Sequence, residues 1–316
     1  MRVQHALGQA TAVGKALPER YDALWLDLGE QDRPHIEQWI RRLYHAHPVA
    51  VARILDGQHR PRQTLLVEPD AVVFILTHID PVAPLPAARV YPVGVALGHR
   101  FLVTVRHRAS VPWLDRAWEA VERHRWLAHG VDFALYHLLS AHLQHLQDLD
   151  EAINREFERV QETLLKRPYL NLAPDIVALR RWVMWARRLS EPELEIFTLL
   201  GSDTFRFVAD GHRPYFQDLK AQMQDIADDV QNNREGLSGT VEAYTSMQSN
   251  EINKVMKFLT ILSVLALPAT TIASVYGMNF YIPETHWPFG YAYSLALMGA
   301  VTGVLLWLMR RRDWFR

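Results

Sequence analysis

The sequence predicts a soluble region of mixed α and β structure, followed by a long helix and two C-terminal membrane helices. Strand-like apolar runs are confined to residues 1–110, and helical periodicity dominates from Val111 onward. Between Phe258 and Leu308 lie two apolar stretches of about 20 residues each, the length that crosses a bilayer. The chain therefore has the elements of one soluble domain and one membrane hairpin.

Composition excludes several classes of function. Among 316 residues, Lys+Arg (34) nearly balance Asp+Glu (35), so the bulk charge does not indicate nucleic-acid binding. The absence of cysteine excludes disulfides, thiolate metal sites and cysteine nucleophiles. Because no phosphate-binding loop, HExxH helix or paired nucleophile and base is recognisable, an enzyme is not expected. The residues from Met1 to His5 lack a signal-peptide pattern, which predicts a cytoplasmic soluble region.

Residues 1–110 are predicted to form a cytosolic α/β domain. Strands are predicted at 23–28, 71–79, 89–97 and 101–105, because these runs are apolar and bounded by turn residues. Gly98 and His99 separate the last two runs and predict a hairpin turn. Two short helices are predicted between the first two strands, at 33–43 and 48–55.

Residues 111–212 are predicted to be a cytosolic helical region, with helices at 113–125, 131–166 and 173–200. A further helix, here called the stalk helix, is predicted over 213–256. It carries a heptad-like apolar stripe that is interrupted by Asn233 and comprises Leu219, Met223, Ile226, Val230, Leu237, Val241 and Tyr244. The stripe continues into the first apolar stretch, so one helix from Tyr215 to Tyr276 would be roughly 90 Å long. Such a stripe favours oligomerisation, with stalk helices packed side by side.

Charge predicts the topology of the membrane segment. The predicted segments are a first span at 257–277, a periplasmic loop at 278–289, a second span at 290–309 and a basic cytosolic tail at 310–316. Lys254 and Lys257 precede the first span and an arginine cluster follows the second, whereas the loop has no Lys or Arg. The positive-inside rule therefore places both termini in the cytoplasm.

One face of the first span has a composition that suits a pore. Large apolar and small hydroxyl side chains recur there three or four residues apart: Met256, Leu259, Ser263, Leu267, Thr270 and Ser274. Several such helices around an axis would form a hydrophobic neck followed by a hydroxyl-lined path. The alternative is that these hydroxyls hydrogen-bond to neighbouring membrane helices.

The residues that follow the first span suit a hydrated cation. A helix C-terminus presents unpaired carbonyl groups and a partial negative charge, and Gly277 permits the chain to turn there. Asn279 offers a neutral amide oxygen, a hard ligand of the kind that Mg²⁺ prefers. Because Mg²⁺ sheds water reluctantly, a ring of amide oxygens would bind the hydrated ion.

Longer stretches of the sequence carry a family resemblance. They are Ser274-Val275-Tyr276-Gly277-Met278-Asn279-Phe280, Trp287-Pro288-Phe289-Gly290-Tyr291, the basic terminus from Arg310 to Phe315, and Pro214-Tyr215-Phe216-Gln217-Asp218. With these stretches the chain resembles the CorA family of magnesium channels, also called the two-TM-GxN family. A divergent branch similar to CmaX or ZntB is included in this resemblance.

The resemblance implies a funnel-shaped homopentamer in the lipid bilayer, with a cytosolic α/β/α sandwich and a pore built from the first span. Asn279 would be the selectivity-filter ligand of the hydrated ion, and Gly277 and Met278 would shape its loop. The remaining implied pore residues are a gate at Met256 and Leu259, a second constriction at Leu267, and hydrated-ion sites at Asn253 and Thr270. The implied function is passive transport of Mg²⁺, or of Co²⁺ or Ni²⁺, without covalent chemistry or a cofactor.

The sequence departs from the family where a regulatory metal site is expected. CorA channels commonly carry an acidic pair shortly after His-Pro, and here Ala52 and Arg53 stand at those positions. The matching stalk position is still acidic, as Asp218. We expect Arg53 and Asp218 to form a permanent ion pair between subunits in place of the metal, because an arginine does not dissociate when Mg²⁺ falls. The alternative is two exposed charges that never meet.

Histidine content leaves rival functions open. The chain has 15 histidines, and His142 and His145 lie about one helical turn apart, with His137 nearby. Without a third ligand fixed by the sequence, ordinary packing histidines are the expectation. Zinc transport of the ZntB type is one alternative function, although Met278 counts against it. A membrane-anchored scaffold or sensor that does not conduct is the other.

Overall fold

The computed structural model describes residues 1–8, 10–29, 32, 65–80, 89–108, 110–167, 170–279 and 281–312. The chain forms two compact units. The N-terminal unit comprises residues 1–165 and 171–240, and the C-terminal unit comprises 166–170 and 241–316. The helices predicted at 33–43 and 48–55 lie outside the described residues, as does Arg53.

A mixed β-sheet forms the centre of the N-terminal unit. Its described strands follow the order β2-β1-β3-β7-β6-β5-β4, with β3 and β7 parallel and the other neighbours antiparallel. The strands are β1 (Arg2–Leu7), β2 (Ala10–Gly14), β3 (Ala23–Leu28), β4 (Leu65–Val67), β5 (Ala71–Asp80), β6 (Arg89–Gly98) and β7 (Phe101–Arg106). All four predicted strands are present. The turn between β6 and β7 favours glycine, since a Cβ on Gly98 would collide with the Phe101 ring.

Three strands were not predicted, because tertiary contacts rather than apolar pattern stabilise them. Gln4 in β1 is buried and donates from its side-chain amide to the Trp118 carbonyl oxygen, 3.0 Å away. The strand β2 lies at the edge of the sheet and is largely exposed, with Val13 at 50%. The strand β4 has three residues. Such strands lack the alternation on which a sequence-based assignment depends.

Both faces of the sheet are covered. In β3, the side chains of Leu24 and Leu26 belong to one buried cluster, whereas Trp25 belongs to a second that includes Trp113 and Phe197. Alternate residues of a strand point to opposite faces, so a strand that is buried throughout has a layer on each side. Both faces of the sheet are therefore buried, as expected for a layered α/β domain.

The helices agree closely with the prediction. They are α1 (Pro112–His124), α2 (Val131–Lys166), α3 (Ala173–Leu200), α4 (Arg213–Tyr276) and α5 (Gly290–Arg311), with short 3₁₀ helices at Trp126–His129 and Pro283–His286. The 64 residues of α4 include the stalk helix and the first span without interruption, and Pro268 lies within it. The division of the chain at 110, 212 and 256 stays a prediction.

The stalk helix runs beside α2 in the same direction. Asn233 donates to Asn154 and Gln161 donates to Thr240, so residues 79 apart in sequence pair at positions about two helical turns apart. A Cβ on Gly236 would lie 2.9 Å from the Phe157 ring, which explains a glycine inside this helix. The apolar stripe from Leu219 to Leu237 is buried within the N-terminal unit itself. That part of the stripe is therefore satisfied by its own chain, and it does not by itself require an oligomer as the sequence suggested.

A buried ionic network fixes α1 against the sheet. Asp27 on β3 accepts hydrogen bonds from Arg2 and Arg106, and both arginines also reach Asp115 on α1, at 2.9 and 3.0 Å. Asp27 is 2% exposed, so its charge depends on these two guanidinium groups.

Candidate pore helix and selectivity loop

The C-terminal unit contains the membrane segment. Two described helices are long and apolar enough to cross a membrane: the C-terminal part of α4 and the whole of α5. In contrast to the core helices of the N-terminal unit, their apolar windows are not buried within the chain. Exposed apolar side chains on both helices match a lipid or a protein environment better than water.

The face predicted to line a pore is exposed in the single chain. Met256 is 57% exposed, Leu259 49% and Leu267 61%, and the remaining positions are also exposed: Asn253, Ser263, Thr270 and Ser274. Partly covered residues recur on the other side of the same helix, at Ile261, Leu265, Pro268 and Ile272. At about 100° per residue the two sets lie on opposite faces. The predicted pore face therefore lies within the uncovered part of the helix, which extends to Phe258 and Leu262 on the adjoining face.

The hydroxyl groups of this helix are partly satisfied by its own backbone. Ser263 donates to the Leu259 carbonyl oxygen at 2.9 Å, and Thr270 donates to the carbonyls of Ala266 and Leu267. A hydroxyl that donates to a carbonyl one turn back keeps its lone pairs free as acceptors. Hydroxyl oxygens on an exposed face can accept hydrogen bonds from the water molecules that hydrate a cation.

The predicted selectivity loop begins directly at the end of α4. The Gly277 N–H donates to the carbonyl oxygens of Ala273 and Ser274, at 2.9 and 3.2 Å, and Met278 N–H donates to Val275 at 3.2 Å. A Cβ on Gly277 would lie 3.3 Å from the Ala273 oxygen, so glycine is favoured here by close approach rather than by a positive φ. Met278 and Asn279 are exposed.

Aromatic and polar groups surround this loop within the C-terminal unit. The Tyr281 and His286 rings lie 5.2 Å apart, and the 3₁₀ helix Pro283–His286 carries Glu284. Trp287 packs edge-on against Tyr293. Exposed aromatic residues at the start of α5, with Trp307 near its end, resemble the belts that membrane helices place at the two interfaces.

Of the predicted regulatory pair, Arg53 and Asp218, the structure describes only Asp218. Asp218 lies on an exposed face of the stalk helix and accepts a hydrogen bond from Gln222 at 2.7 Å. Arg53, its predicted partner, lies outside the described residues. The intersubunit ion pair therefore stays a prediction.

The histidines singled out in the sequence have structural partners. The His142 Nε2 lies 2.7 Å from Glu193 Oε2, and both groups are buried. The Glu193 Oε1 accepts from Thr77 N–H of β5 at 2.9 Å, and His145 Nε2 accepts from Ile79 N–H at 3.3 Å. Two backbone donors near the end of β5 thus receive side-chain acceptors from α2 and α3. The sequence did not indicate Glu193, because its partners are distant along the chain.

Burial keeps two of these histidines neutral. It lowers the pKa of His145 to about 3, with His142 and His78 adding to the effect, and lowers the pKa of His137 to about 4. His137 stacks on the Trp126 ring at 3.4 Å. Within the described part of the chain, no group of three or more His, Asp or Glu side chains is placed to hold a metal. These residues are packing histidines.

The chain combines a mixed sheet packed against helices, a 64-residue helix, and a second apolar helix that follows Gly-Met-Asn. This combination defines a membrane protein of the two-helix transporter class. The family model described as "CorA-like Mg²⁺ transporter protein" matches residues 21–311. The chain belongs to this family.

Individual relatives cover nearly the whole chain. The cobalt/magnesium transport protein CorA of Thermotoga maritima is 27% identical over 311 residues, which is 97% of this chain and 88% of the relative. The complete structure of the CorA magnesium transporter from Methanocaldococcus jannaschii has a TM-score of 0.82 at 19% identity, and covers 99% of this chain and 98% of that one. Full-length CmaX has a TM-score of 0.76 at 19% identity, with 98% and 97% covered.

Family membership gives the function in coarse form. The chain is a divalent-cation transporter with two C-terminal membrane helices, and it is not an enzyme. The resemblance stated from the Gly-Met-Asn segment is confirmed, and so is the fold class. Which residues contact the ion stays a prediction.

Proposed function

We propose that the chain conducts Mg²⁺ passively across the bacterial inner membrane, as a homopentamer whose pore is lined by the first span. Both termini would lie in the cytoplasm and the Gly-Met-Asn loop in the periplasm, in accordance with the arginines that end α5. Co²⁺ and Ni²⁺ would share the path, because their hydrated ions present similar outer shells.

One observation carries this proposal. The helix that has the pore composition leaves that face uncovered, whereas the opposite face is partly covered within the chain. Exposed Met256, Leu259 and Leu267 need lipid or protein around them, and the small hydroxyl side chains on the same face favour copies of the same helix over lipid. Rotational symmetry would then place the uncovered faces around one axis.

The residues of this face have distinct roles in the proposal. Rings of Met256 and Leu259 form the gate near the cytoplasmic end, where a narrow apolar neck excludes water, and Leu267 forms a second constriction. The hydroxyls of Ser263, Thr270 and Ser274 and the amide of Asn253 contact hydration water along the path. Asn279 binds the hydrated ion at the outer mouth, with Gly277 and Met278 shaping the loop.

The test is divalent-cation uptake into proteoliposomes by the wild type and by Asn279→Ala, with Mg²⁺ and Zn²⁺ measured side by side. Saturable Mg²⁺ flux that the substitution abolishes is the expected result, because the substitution removes the amide oxygen from every subunit. Asn232→Ala is the matched control, since Asn232 is an exposed asparagine of the stalk helix outside the membrane. Flux that is equal in wild type and Asn279→Ala would exclude the filter.

Two alternatives remain as outcomes of the same experiment. Flux of Zn²⁺ without Mg²⁺ would indicate zinc transport of the ZntB type. No flux of either ion, in protein that is folded and reconstituted, would indicate a scaffold or sensor that does not conduct.

Regulation by cytosolic Mg²⁺ is proposed to be weak at the stalk. The family resemblance pairs Asp218 with position 53, where an arginine stands in this chain. A permanent Arg53–Asp218 ion pair between subunits would occupy the place of a dissociable metal. If millimolar Mg²⁺ closes the wild-type channel and Asp218→Ala abolishes that closure, this proposal is wrong.

A further inference from the structure

Helices α2 and α3 form an antiparallel hairpin whose connection belongs to the C-terminal unit. Arg159 of α2 contacts Asp175 of α3 at 3.2 Å, so the two helices run back along each other on either side of the connection. The connecting residues Lys166–Leu170 form a compact unit with the membrane segment, whereas the rest of both helices belongs to the N-terminal unit. Residues 165–170 are here called the hairpin tip.

The pairing of α2 with the stalk helix places the hairpin tip close to the membrane. The last two hydrogen bonds that the structure describes between these helices join residues with the same offset of 79. With this offset Lys166 lies level with Thr245, 12 residues before Lys257, where the predicted first span begins. Twelve residues of helix are about 18 Å long, and the headgroup layer takes up about 5–7 Å of that distance. Because basic side chains extend several ångströms from the backbone, charges at the tip come within one Debye length, about 8 Å, of the headgroups.

The charge of the hairpin tip is entirely positive. Between Glu162 and Asp175 the only charged residues are Lys166 and Arg167, and both are exposed. An anionic membrane surface favours each nearby basic residue about fivefold. Two such residues are too few to hold a free peptide on a membrane. The two spans already hold this chain there, however, so that docking of the tip is intramolecular and needs little further attraction.

The hairpin tip also exposes leucine side chains. Leu165 is 73% exposed, the highest value among the leucines that the structure describes, and Leu170 is 39% exposed. The adjacent leucines Leu164 and Leu172 are buried, so the hairpin has its apolar contacts without the exposed pair. Exposed apolar side chains beside basic ones are typical of segments that lie at a membrane interface.

We propose that the hairpin tip docks on anionic phospholipid headgroups at the cytoplasmic face of the bilayer. Lys166 and Arg167 contact headgroup phosphates, and Leu165 and Leu170 lie at the boundary between headgroups and acyl chains. Because α2 is hydrogen-bonded to the stalk helix, a docked tip gives that helix a second attachment to the bilayer besides the first span. The inference rests on the proposed topology and does not require ion flux.

The test uses the full chain in lipid nanodiscs, either of phosphatidylcholine alone or with part of it replaced by phosphatidylglycerol. The chain has no cysteine, so Leu170→Cys accepts a single apolar bimane label at the tip. A lipid with a nitroxide on its headgroup quenches the label at short range. We expect quenching to be at least about twofold stronger in the anionic discs, because the two basic residues favour the docked tip there. The gain should largely disappear at about 1 M salt, where the Debye length is about 3 Å.

Two double substitutions in the labelled chain separate the tip from general charge effects. Lys166→Gln with Arg167→Gln should remove most of the gain in anionic discs, because no basic residue is then left in the tip. Arg180→Gln with Arg181→Gln is the matched control, since these adjacent arginines are exposed on α3 outside the tip. The control removes the same charge and should be quenched as strongly as the labelled chain without further substitution.

Three results would overturn the inference. They are equal quenching in the two lipid compositions, a gain that persists without Lys166 and Arg167, and an equal loss of the gain in the Arg180 and Arg181 control. The first, if the bimane emission is that of a buried group, would mean that a protein surface covers the tip. Because no flux is measured and both leaflets of a nanodisc have the same lipids, each result is independent of whether the chain conducts Mg²⁺.

Discussion

At the scale of single residues, buried polar groups of the N-terminal unit satisfy backbone donors and helix contacts that the sequence does not reveal. His145 and Glu193 accept from Ile79 and Thr77 at the end of β5. Both acceptors come from helices that are distant from β5 along the chain. The spacing of His142 and His145 was compatible with a metal site, but in the structure both side chains form hydrogen bonds within the protein.

Loss of the His145 acceptor is expected to destabilise the fold. His145→Leu leaves the Ile79 N–H buried without a partner, which costs about 1–3 kcal/mol. Thermal or denaturant unfolding of the full chain measures the change. His145→Gln keeps an acceptor and should lose less. A stabilising effect of micromolar Zn²⁺ that disappears in His145→Leu would contradict the structural role.

Stability is expected to rise when the charge of Asp150 is removed. Its pKa is raised from 3.8 to about 6 in the folded chain, so the ionised form opposes folding and stability increases as pH falls through this range. At about pH 8, Asp150→Asn should stabilise by up to about 3 kcal/mol. The difference between variant and wild type should nearly vanish at about pH 4. A pH-independent difference in melting temperature would show that packing, not charge, is responsible.

At the scale of elements, the pairing of α2 with the stalk helix decides which glycines are needed. Gly236 faces the Phe157 ring, whereas a Cβ on Gly239 would meet nothing within 4 Å. The sequence presents these two glycines as equivalent weak points in one long helix. The register of the two helices distinguishes them.

Gly239→Ala is expected to stabilise the stalk helix by about 0.5–1 kcal/mol, because alanine restricts the unfolded chain and favours the helix. Gly236→Ala should gain less, since its methyl group displaces the Phe157 ring. Melting temperatures of the two variants, compared in the same detergent, measure the difference. If Gly239→Ala proves the more harmful change, a neighbour outside this chain must contact that position.

At the scale of the whole molecule, the uncovered face of the first span is where the proposed pore needs partner subunits. The chain has no cysteine, so a single introduced thiol reports its own surroundings. Leu267 lies on the exposed face and Leu265 on the partly covered one, two residues away. These two leucines form a matched pair, because they lie only about 3 Å apart along the helix axis.

Oxidation of Leu267→Cys is expected to give disulfide-linked dimers on a non-reducing gel, because symmetry brings the same residue of adjacent subunits together at a constriction. A disulfide needs Cα atoms within about 7 Å, which makes the test selective. Leu265→Cys should remain monomeric. Native mass spectrometry of the wild type should give five subunits. Cross-linking of Leu265→Cys alone would place the opposite face at the axis.

The sequence by itself determined the elements whose residues interact locally or repeat regularly. The strands predicted at 71–79 and 89–97 and the helices α2 and α3 follow from apolar pattern, since each buries a continuous face. The two apolar spans follow from their length and composition. The Gly-Met-Asn segment likewise indicated the family, because the motif consists of consecutive residues and can be recognised without the tertiary structure.

Only the tertiary structure decided the elements and roles that depend on distant partners. The strand β1 exists because Gln4 and Arg2 find partners in and beside α1, and Asp150 gains its raised pKa from burial under the stalk helix. The tertiary structure also showed that the stripe from Leu219 to Leu237 is buried within the chain, and that uncovered apolar surface lies further on, in the first span. Local pattern specifies which face is apolar, but only packing decides what covers it.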